Sequence, residues 1–267
     1  VSAGEPAAPR AAAFFDLDRT VIARSSTVAF SRPLYSGGLL TRAGLLRSAY
    51  AHAAHRALGA DDEQVRRVQA ALVPLVAGWE VERVREVVAD ALRTAVEPFV
   101  HEEAVQLVAE HRAAGRDVIV VSASSEDLVG PVAALLGADR SVATSLEVVD
   151  GRYTGRVGTW VQGPEKARAV RRLAAQEGYD LAASYAYSDS ATDLPMLEAV
   201  GHPHAVNPDR ALRRTARERG WPVLAFERPV PLLPRPAPLA VGAVGAVGVG
   251  AATAGAVWAA RRRGRRG

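Results

Sequence analysis

The 267-residue chain contains no cysteine, which excludes thiol catalysis, Cys-ligated zinc, iron–sulfur clusters and disulfides together. Aromatic residues are scarce at 6%, although 49% of the chain is hydrophobic, so its core must rest on small aliphatic side chains. Lysine is almost absent: of 33 basic residues only Lys166 is a lysine. In so arginine-rich a chain, a single lysine points to a task that needs a compact ammonium rather than a planar guanidinium. Nor is the body basic. Arg261, Arg262, Arg263, Arg265 and Arg266 crowd the last seven residues, and the net charge of +4 falls to −1 once these five are set aside. A nucleic-acid tail is therefore considered and not expected, because no aromatic residue is interleaved with those arginines.

What is present is strand and helix in alternation. Ala12 to Leu17 is a short apolar run ending in a polar turn, and Asp117 to Ser122 is a second run of the kind buried in a parallel sheet. Helices are predicted at His101 to Ala114, Glu126 to Leu136, Pro164 to Gln176, Leu194 to Val200 and Pro208 to Arg219. Strands are predicted at Ser184 to Tyr187, His204 to Val206 and Pro222 to Phe226, with a hairpin over Val142 to Val157 turned at Asp150-Gly151. Between the first two strands the pattern is helical throughout, in Leu39 to Leu58, Asp61 to Val76 and Glu80 to Val96. The expected fold is α/β, a Rossmann-like doubly wound, mostly parallel sheet interrupted by an all-helical insertion.

The resulting domains are a core of residues 11–25 and 98–226, a helical cap at 26–97, a proline-rich linker at 227–238, an apolar segment at 239–260 and the basic tail at 261–267. Leu239 to Ala260 carries no charge over 22 residues, enough to span a bilayer, although five glycines keep it weakly hydrophobic. No signal peptide is read at the N-terminus. The catalytic body is thus expected in the cytoplasm, anchored at the cell membrane by the C-terminal segment, which either spans the bilayer or inserts shallowly with its arginines on anionic headgroups.

Ligands of open parallel sheets bind at the carboxyl ends of the strands. There the sequence places Asp16 and Asp18 after the first strand, Ser122 after the second, and Ser188, Asp189 and Asp193 after the strand at Ser184 to Tyr187. Lys166 opens the preceding helix. Carboxylates gathered in one crevice call for a hard divalent cation, and Mg2+ suits them because it takes one or two carboxylates and leaves sites for substrate phosphate oxygens. Asp16 and Asp189, with the backbone carbonyl of Asp18, are its expected ligands. Two aspartates at i and i+2 can divide the labour, Asp16 attacking phosphorus and Asp18 moving the proton. Ser122 can donate to a phosphoryl oxygen and Lys166 can neutralise its charge. All six histidines are read as structural or surface residues.

The segments DLDRT (16–20), VVSAS (120–124), GPEKAR (163–168) and YSDSATDLPML (187–197) resemble, in order, the four motifs of the haloacid dehalogenase superfamily, in subfamily IB, related to phosphoserine phosphatase. The resemblance implies Asp16 as nucleophile and metal ligand, Asp18 as general acid/base and backbone ligand, Ser122 and Lys166 on the phosphoryl group and Asp189 as metal ligand. Thr20 and Asp193 would support the site. The second aspartate, which dehalogenase members lack, implies hydrolysis of a small phosphomonoester. Two departures stand out. Ser25 occupies the place of the glutamate that meets the amino group in phosphoserine phosphatases, which disfavours phosphoserine, and Ser188-Asp189-Ser190 replaces the usual Gly-Asp-Gly. The sequence is also similar to a group of actinobacterial proteins of this subfamily linked by name to inhibition of morphological differentiation, a label that carries no substrate.

The alternative is a regulatory or scaffolding membrane protein that keeps the fold with little turnover; an intact Asp18, of no use to a binding module, favours the enzyme. Arg32, Arg42, Arg47, Arg56 and Arg66 of the insertion either meet an anionic substrate or form a solvated face.

Overall fold

A computed structural model describes residues 10–42, 44 and 73–228. Its strands are β1 (Ala12–Asp16), β2 (Asp117–Ser125), β3 (Arg140–Val149), β4 (Arg152–Thr159), β5 (Tyr185–Ser188), β6 (His202–Val206) and β7 (Val223–Leu224). They form one sheet in the order β4-β3-β2-β1-β5-β6-β7, parallel except for the β3–β4 pair. The helices are α1 (Ser26–Ser36), α2 (Val81–Ala91), α3 (Glu102–Ala113), α4 (Glu126–Leu135), α5 (Pro164–Glu177), α6 (Leu194–Leu197) and α7 (Arg210–Arg219).

Alternation along β1 and β2 sorts their side chains onto two apolar faces. Ala13, Phe15, Val118 and Val120 face a layer that includes Ala104 and Val108 of α3, Leu128 and Val132 of α4, and Val84 and Val88 of α2. Ala12, Phe14, Ile119 and Val121 face Val170 and Ala174 of α5, Met196 and Leu197 of α6, and Leu212 and Ala216 of α7. Phe14 and Phe15 are wholly buried, each worth roughly 1.5–3 kcal/mol of apolar burial. Helices on both faces confirm the expected doubly wound sheet. The chain leaves β1 toward β2 on one side and returns as β5 on the other, so the carboxyl end of β1 is the topological switch point.

Several boundaries differ from the sequence expectation. Glu80 to Val96 is not one helix. The apolar spacing Val81, Val84, Val88 and Ala91 does make α2, but a wide π-type turn follows at Leu92–Val96 and a tight one at Glu97–Phe99, because Pro98 supplies no N–H and constrains the residue before it. The last strand is two residues rather than five. Asn207, at φ 42°, takes over from the ladder, donating from Nδ2 to the Phe226 carbonyl at 2.8 Å and accepting from the Phe226 N–H at 3.0 Å.

The hairpin is not a separate appendage. Its first strand pairs in parallel with β2, and its tip pairs with the insertion: Glu80 bridges Arg152, and the Gly78 N–H donates to the Tyr153 carbonyl at 2.8 Å. Two short connections join insertion to core, running antiparallel at Ile22 and Val100. The Arg24 guanidinium lies 3.7 Å over the Phe99 ring there. Among the described residues no helix is long and apolar enough to cross a membrane. The helices expected over Leu39 to Leu58 and Asp61 to Val76 lie mostly outside the described residues, as do Arg47, Arg56 and Arg66. The linker beyond Arg228, the apolar segment 239–260 and the arginine tail lie wholly outside them.

Candidate active site

Asp16 ends β1 and is 5% exposed. Its Oδ1 accepts from Lys166 Nζ at 2.5 Å and its Oδ2 from Thr20 Oγ1 at 3.0 Å. Lys166 reaches it from the first turn of α5, whose entry is set by Gly163 at φ 54°, a conformation that favours glycine, and by Pro164 at the first helical position. An ammonium near a helix N-terminus opposes the helix dipole. Two carboxylates offset this, for Lys166 Nζ also donates to Asp193 Oδ2 at 2.7 Å. Ser188 Oγ donates to that same oxygen at 2.7 Å, which orients Asp193. Burial alone would lower the Lys166 pKa, but Asp16 and Asp193 outweigh it and leave the ammonium firmly charged. Burial pushes the Asp16 carboxyl up, and the Lys166 ammonium pulls it back only in part.

Asp189 follows β5 and is as buried as Asp16. Burial, reinforced by the Asp16 charge, raises its pKa; the Arg19 guanidinium, 3.2 Å from Oδ2, opposes the rise. Asp209 braces this loop. Its N–H donates to the Asp189 carbonyl at 2.8 Å, and its carboxylate accepts from the N–H groups of Ala191 and Leu212 at 3.0 and 2.7 Å.

Asp18, half-buried, occupies a different environment. Its Oδ1 accepts from the Ser26 N–H at 2.8 Å and its Oδ2 from Ser124 Oγ at 3.1 Å. Ser122 stands on β2 just before its bulge, one residue beyond the partner of Asp16, and is 1% exposed; its Oγ accepts from the Ser124 N–H at 3.2 Å.

Asp16, Thr20, Lys166 and Asp193 therefore form one bonded network. Asp18 and Ser122 belong to a second one through Ser124, and Asp189 adjoins Asp16 electrostatically. Sequence reasoning placed Ser188 at its strand end and missed Ser124, Ser26, Arg19 and Asp209. Ser124 had a local signal, a second hydroxyl in the SAS segment of β2; Asp209 had the signature of a helix N-cap; Ser26 had none, since it acts through its backbone and through a partner 98 residues away.

The donor chemistry bears on Mg2+. Among the described residues no group of three or more His, Cys, Asp or Glu forms a metal cage. Magnesium asks for less, and Asp16 with Asp189 supplies two buried carboxylates whose pKa values are both raised, chiefly by burial and then by neighbouring carboxylates. The residues fit that ion. The histidines lie elsewhere: His111 is packed among Phe15, Tyr185 and Tyr187, His101 lies beside Phe226, and His202 and His204 stack on Tyr185 and Tyr187. His52 and His55 are outside the described residues.

Comparison with known proteins identifies the family of the chain. The family profile described as haloacid dehalogenase-like hydrolase matches residues 13–198. A Streptomyces azureus protein named for inhibition of morphological differentiation is 56% identical over 265 residues, covering 96% of this chain and 95% of its own. A Mycobacterium tuberculosis protein named probable phosphatase is 53% identical over 255 residues, covering 94% of this chain and 89% of its own. A solved structure from Bordetella pertussis Tohama I, described as a protein with unknown function, aligns with a TM-score of 0.72 at 31% identity, over 81% of this chain and 99% of that one. The match spans β1 through α6 and takes in every site residue named above except Asp209, so the chain belongs to the haloacid dehalogenase-like hydrolase family.

Proposed function

We propose that this hydrolase cleaves a small phosphomonoester in two steps, through a phosphoryl group carried on Asp16. In the first, an Asp16 carboxylate oxygen attacks phosphorus, the ester P–O bond breaks, and the leaving oxygen takes a proton from Asp18. In the second, Asp18 accepts a proton from water as the water oxygen bonds to phosphorus, and the Asp16–phosphorus bond breaks to regenerate the carboxylate. Lys166 holds Asp16 in place and sets a fixed positive charge beside the nucleophile; Ser122 donates to a phosphoryl oxygen. Thr20 and Asp193 keep Asp16 and Lys166 oriented. Mg2+, held by Asp16, Asp189 and the Asp18 backbone carbonyl, would supply charge neutralisation on the phosphoryl oxygens. Residues 11–25 and 98–226 act as the catalytic core and 26–97 as a cap over it.

The observation that carries this reading is the separation of two aspartates two residues apart, one locked to a buried ammonium and the other to neutral donors. The test is hydrolysis of 4-nitrophenyl phosphate by the full chain, with Asp16→Asn as control. Turnover that requires Mg2+ and vanishes in the variant is expected; equal rates from the two proteins would overturn the enzyme reading and favour a scaffold.

The same reading places the catalytic body on the cytoplasmic face of the membrane, held by the apolar segment and arginine tail. Its support is the uncharged 22-residue stretch followed by five arginines. The full chain is expected to float with anionic liposomes and a chain ending at Arg228 to remain behind; equal partitioning removes the anchor.

A further inference from the structure

We propose that Ser124, seconded by Ser26, is a positioning residue that holds Asp18 for proton transfer to the leaving group and links that transfer to the inserted helices. The inference rests on the phosphatase reading above. It starts from an irregularity in β2. Ser122 pairs with Ala143 and Ser125 with Thr144, so Ala123 and Ser124 have no partners in β3. A bulge of this kind re-aims side chains at a strand end. Ser124 Oγ is turned toward β1, where it donates to Asp18 Oδ2 at 3.1 Å and accepts from Ser26 Oγ at 2.8 Å.

Each hydroxyl has one proton to give, and the geometry assigns both without conflict, from Ser26 to Ser124 and from Ser124 to Asp18. Bonds in such a chain polarise one another. The Ser26 N–H meets the other carboxylate oxygen at 2.8 Å. The terminal torsion of an aspartate is otherwise broad, and two donors on two oxygens fix it. Each oxygen keeps a second lone pair, where a proton can be held or released.

A purely structural role would be helix capping. Ser26 is the first residue of α1 and its N–H needs an acceptor, which Asp18 supplies while the Ser25 side chain does not cap the helix. Capping accounts for Oδ1 alone. It leaves the Ser124 hydroxyl on Oδ2 without a purpose, since no helix N–H is involved there. Ser124 belongs to the core and Ser26 opens the insertion, so the orientation of Asp18 depends on the two remaining together.

A general acid matters in proportion to how poorly the leaving oxygen carries charge. The experiment therefore compares kcat/KM of the full chain for 4-nitrophenyl phosphate, whose phenolate leaves unaided, and for phenyl phosphate, whose phenolate does not. Ser124→Ala is expected to lower the phenyl phosphate value by about 10-fold, part of the 10²–10⁴-fold that a positioned acid contributes, and the nitrophenyl value by less than about 2-fold. Ser124→Thr, which keeps the hydroxyl, is expected to restore phenyl phosphate cleavage. In an Asp18→Asn background, Ser124→Ala should add less than about 2-fold. Ser26→Ala, which removes only the second hydroxyl, should show the same leaving-group bias to a smaller degree. Equal losses on both esters, no loss on either, or an undiminished effect in the Asp18→Asn background overturns the inference and leaves the phosphatase reading standing. A wild-type chain that cleaves neither ester overturns that reading and this inference with it.

Discussion

Asp16 and Asp18 leave the same strand two residues apart, yet their surroundings differ in kind. Around Asp16 the contacts are ionic and buried: Lys166 is 3% exposed, Asp193 equally so, the ammonium donates to Asp16 Oδ1 and Asp193 Oδ2, and the Thr20 and Ser188 hydroxyls donate to Asp16 Oδ2 and Asp193 Oδ2. Around Asp18 the partners are neutral, the Ser124 hydroxyl and the Ser26 backbone N–H, with the Ser26 hydroxyl behind Ser124, in a half-buried setting. A nucleophile needs a fixed position and a fixed charge nearby. A group that gives and takes a proton needs orientation without a permanent ion partner, and a neighbouring ammonium would hinder it. The difference teaches that the burial of a carboxylate matters less than whether its donors carry charge.

The largest effect should come from breaking the ionic pocket. Lys166→Met leaves Asp16 and Asp193 buried without their cation, and the expected cost is about 3–5 kcal/mol of folding stability, read by urea denaturation, together with loss of turnover. A variant as stable as the parent would show that the pocket is wetter than its burial indicates. Next, chelation of divalent ions, or Asp189→Asn, should reduce phosphate ester hydrolysis on the order of 10²-fold or more while the fold persists by circular dichroism. An Asp189→Asn protein with unchanged Mg2+ dependence removes that residue from the metal's ligands.

A smaller prediction concerns stability alone. His111 donates and accepts as a neutral ring, with Arg116 Nε on Nδ1 at 2.7 Å and the Tyr187 hydroxyl on Nε2 at 2.8 Å. Burial, with the Arg116 charge, depresses its pKa to about 4, below the ordinary value of 6.5. The unfolded chain therefore binds the proton first. The stability this ring contributes is present above about pH 6.5 and declines as pH falls toward 4, by at most about 1.4 kcal/mol per pH unit. His111→Gln should flatten that slope in denaturant titrations; an unchanged slope would trace the pH dependence to carboxylates instead. The smallest effect is expected at the connection to the insertion, where Arg24→Ala removes the cation over Phe99 and costs about 0.5–1 kcal/mol in thermal melts, without altering the preference between the two aryl esters.

The central strands were legible because they are short continuous apolar runs, such as DVIVV, and the β3–β4 hairpin because Asp150-Gly151 marks its turn. Boundaries were less so. Pro98 was visible, but not the wide turn that its missing N–H leaves before it, and β7 is short because the Asn207 side chain replaces a ladder that the sequence leaves open. In the site, Asp16, Asp18, Ser122, Lys166 and Asp189 could be singled out because each stands at a strand end or a helix start. Asp209 was legible only as a helix N-cap, not as the brace on the Asp189 loop, and Ser26 not at all, since it acts through a backbone N–H.

By itself, the amino-acid sequence determined which residue types could do chemistry: two aspartates after a buried strand, one lysine in the whole chain, and no thiol. Only the tertiary structure decided how they are shared out. The pairing of β1 with β2 and β5 brings Lys166 and Asp193 to Asp16, and the bulge in β2 brings Ser124 to Asp18. The physical reason is range. Residue identity fixes charge and hydrogen-bonding capacity locally, whereas the surroundings that set one aspartate apart from the other depend on Ser124 and Lys166, more than a hundred positions away along the chain.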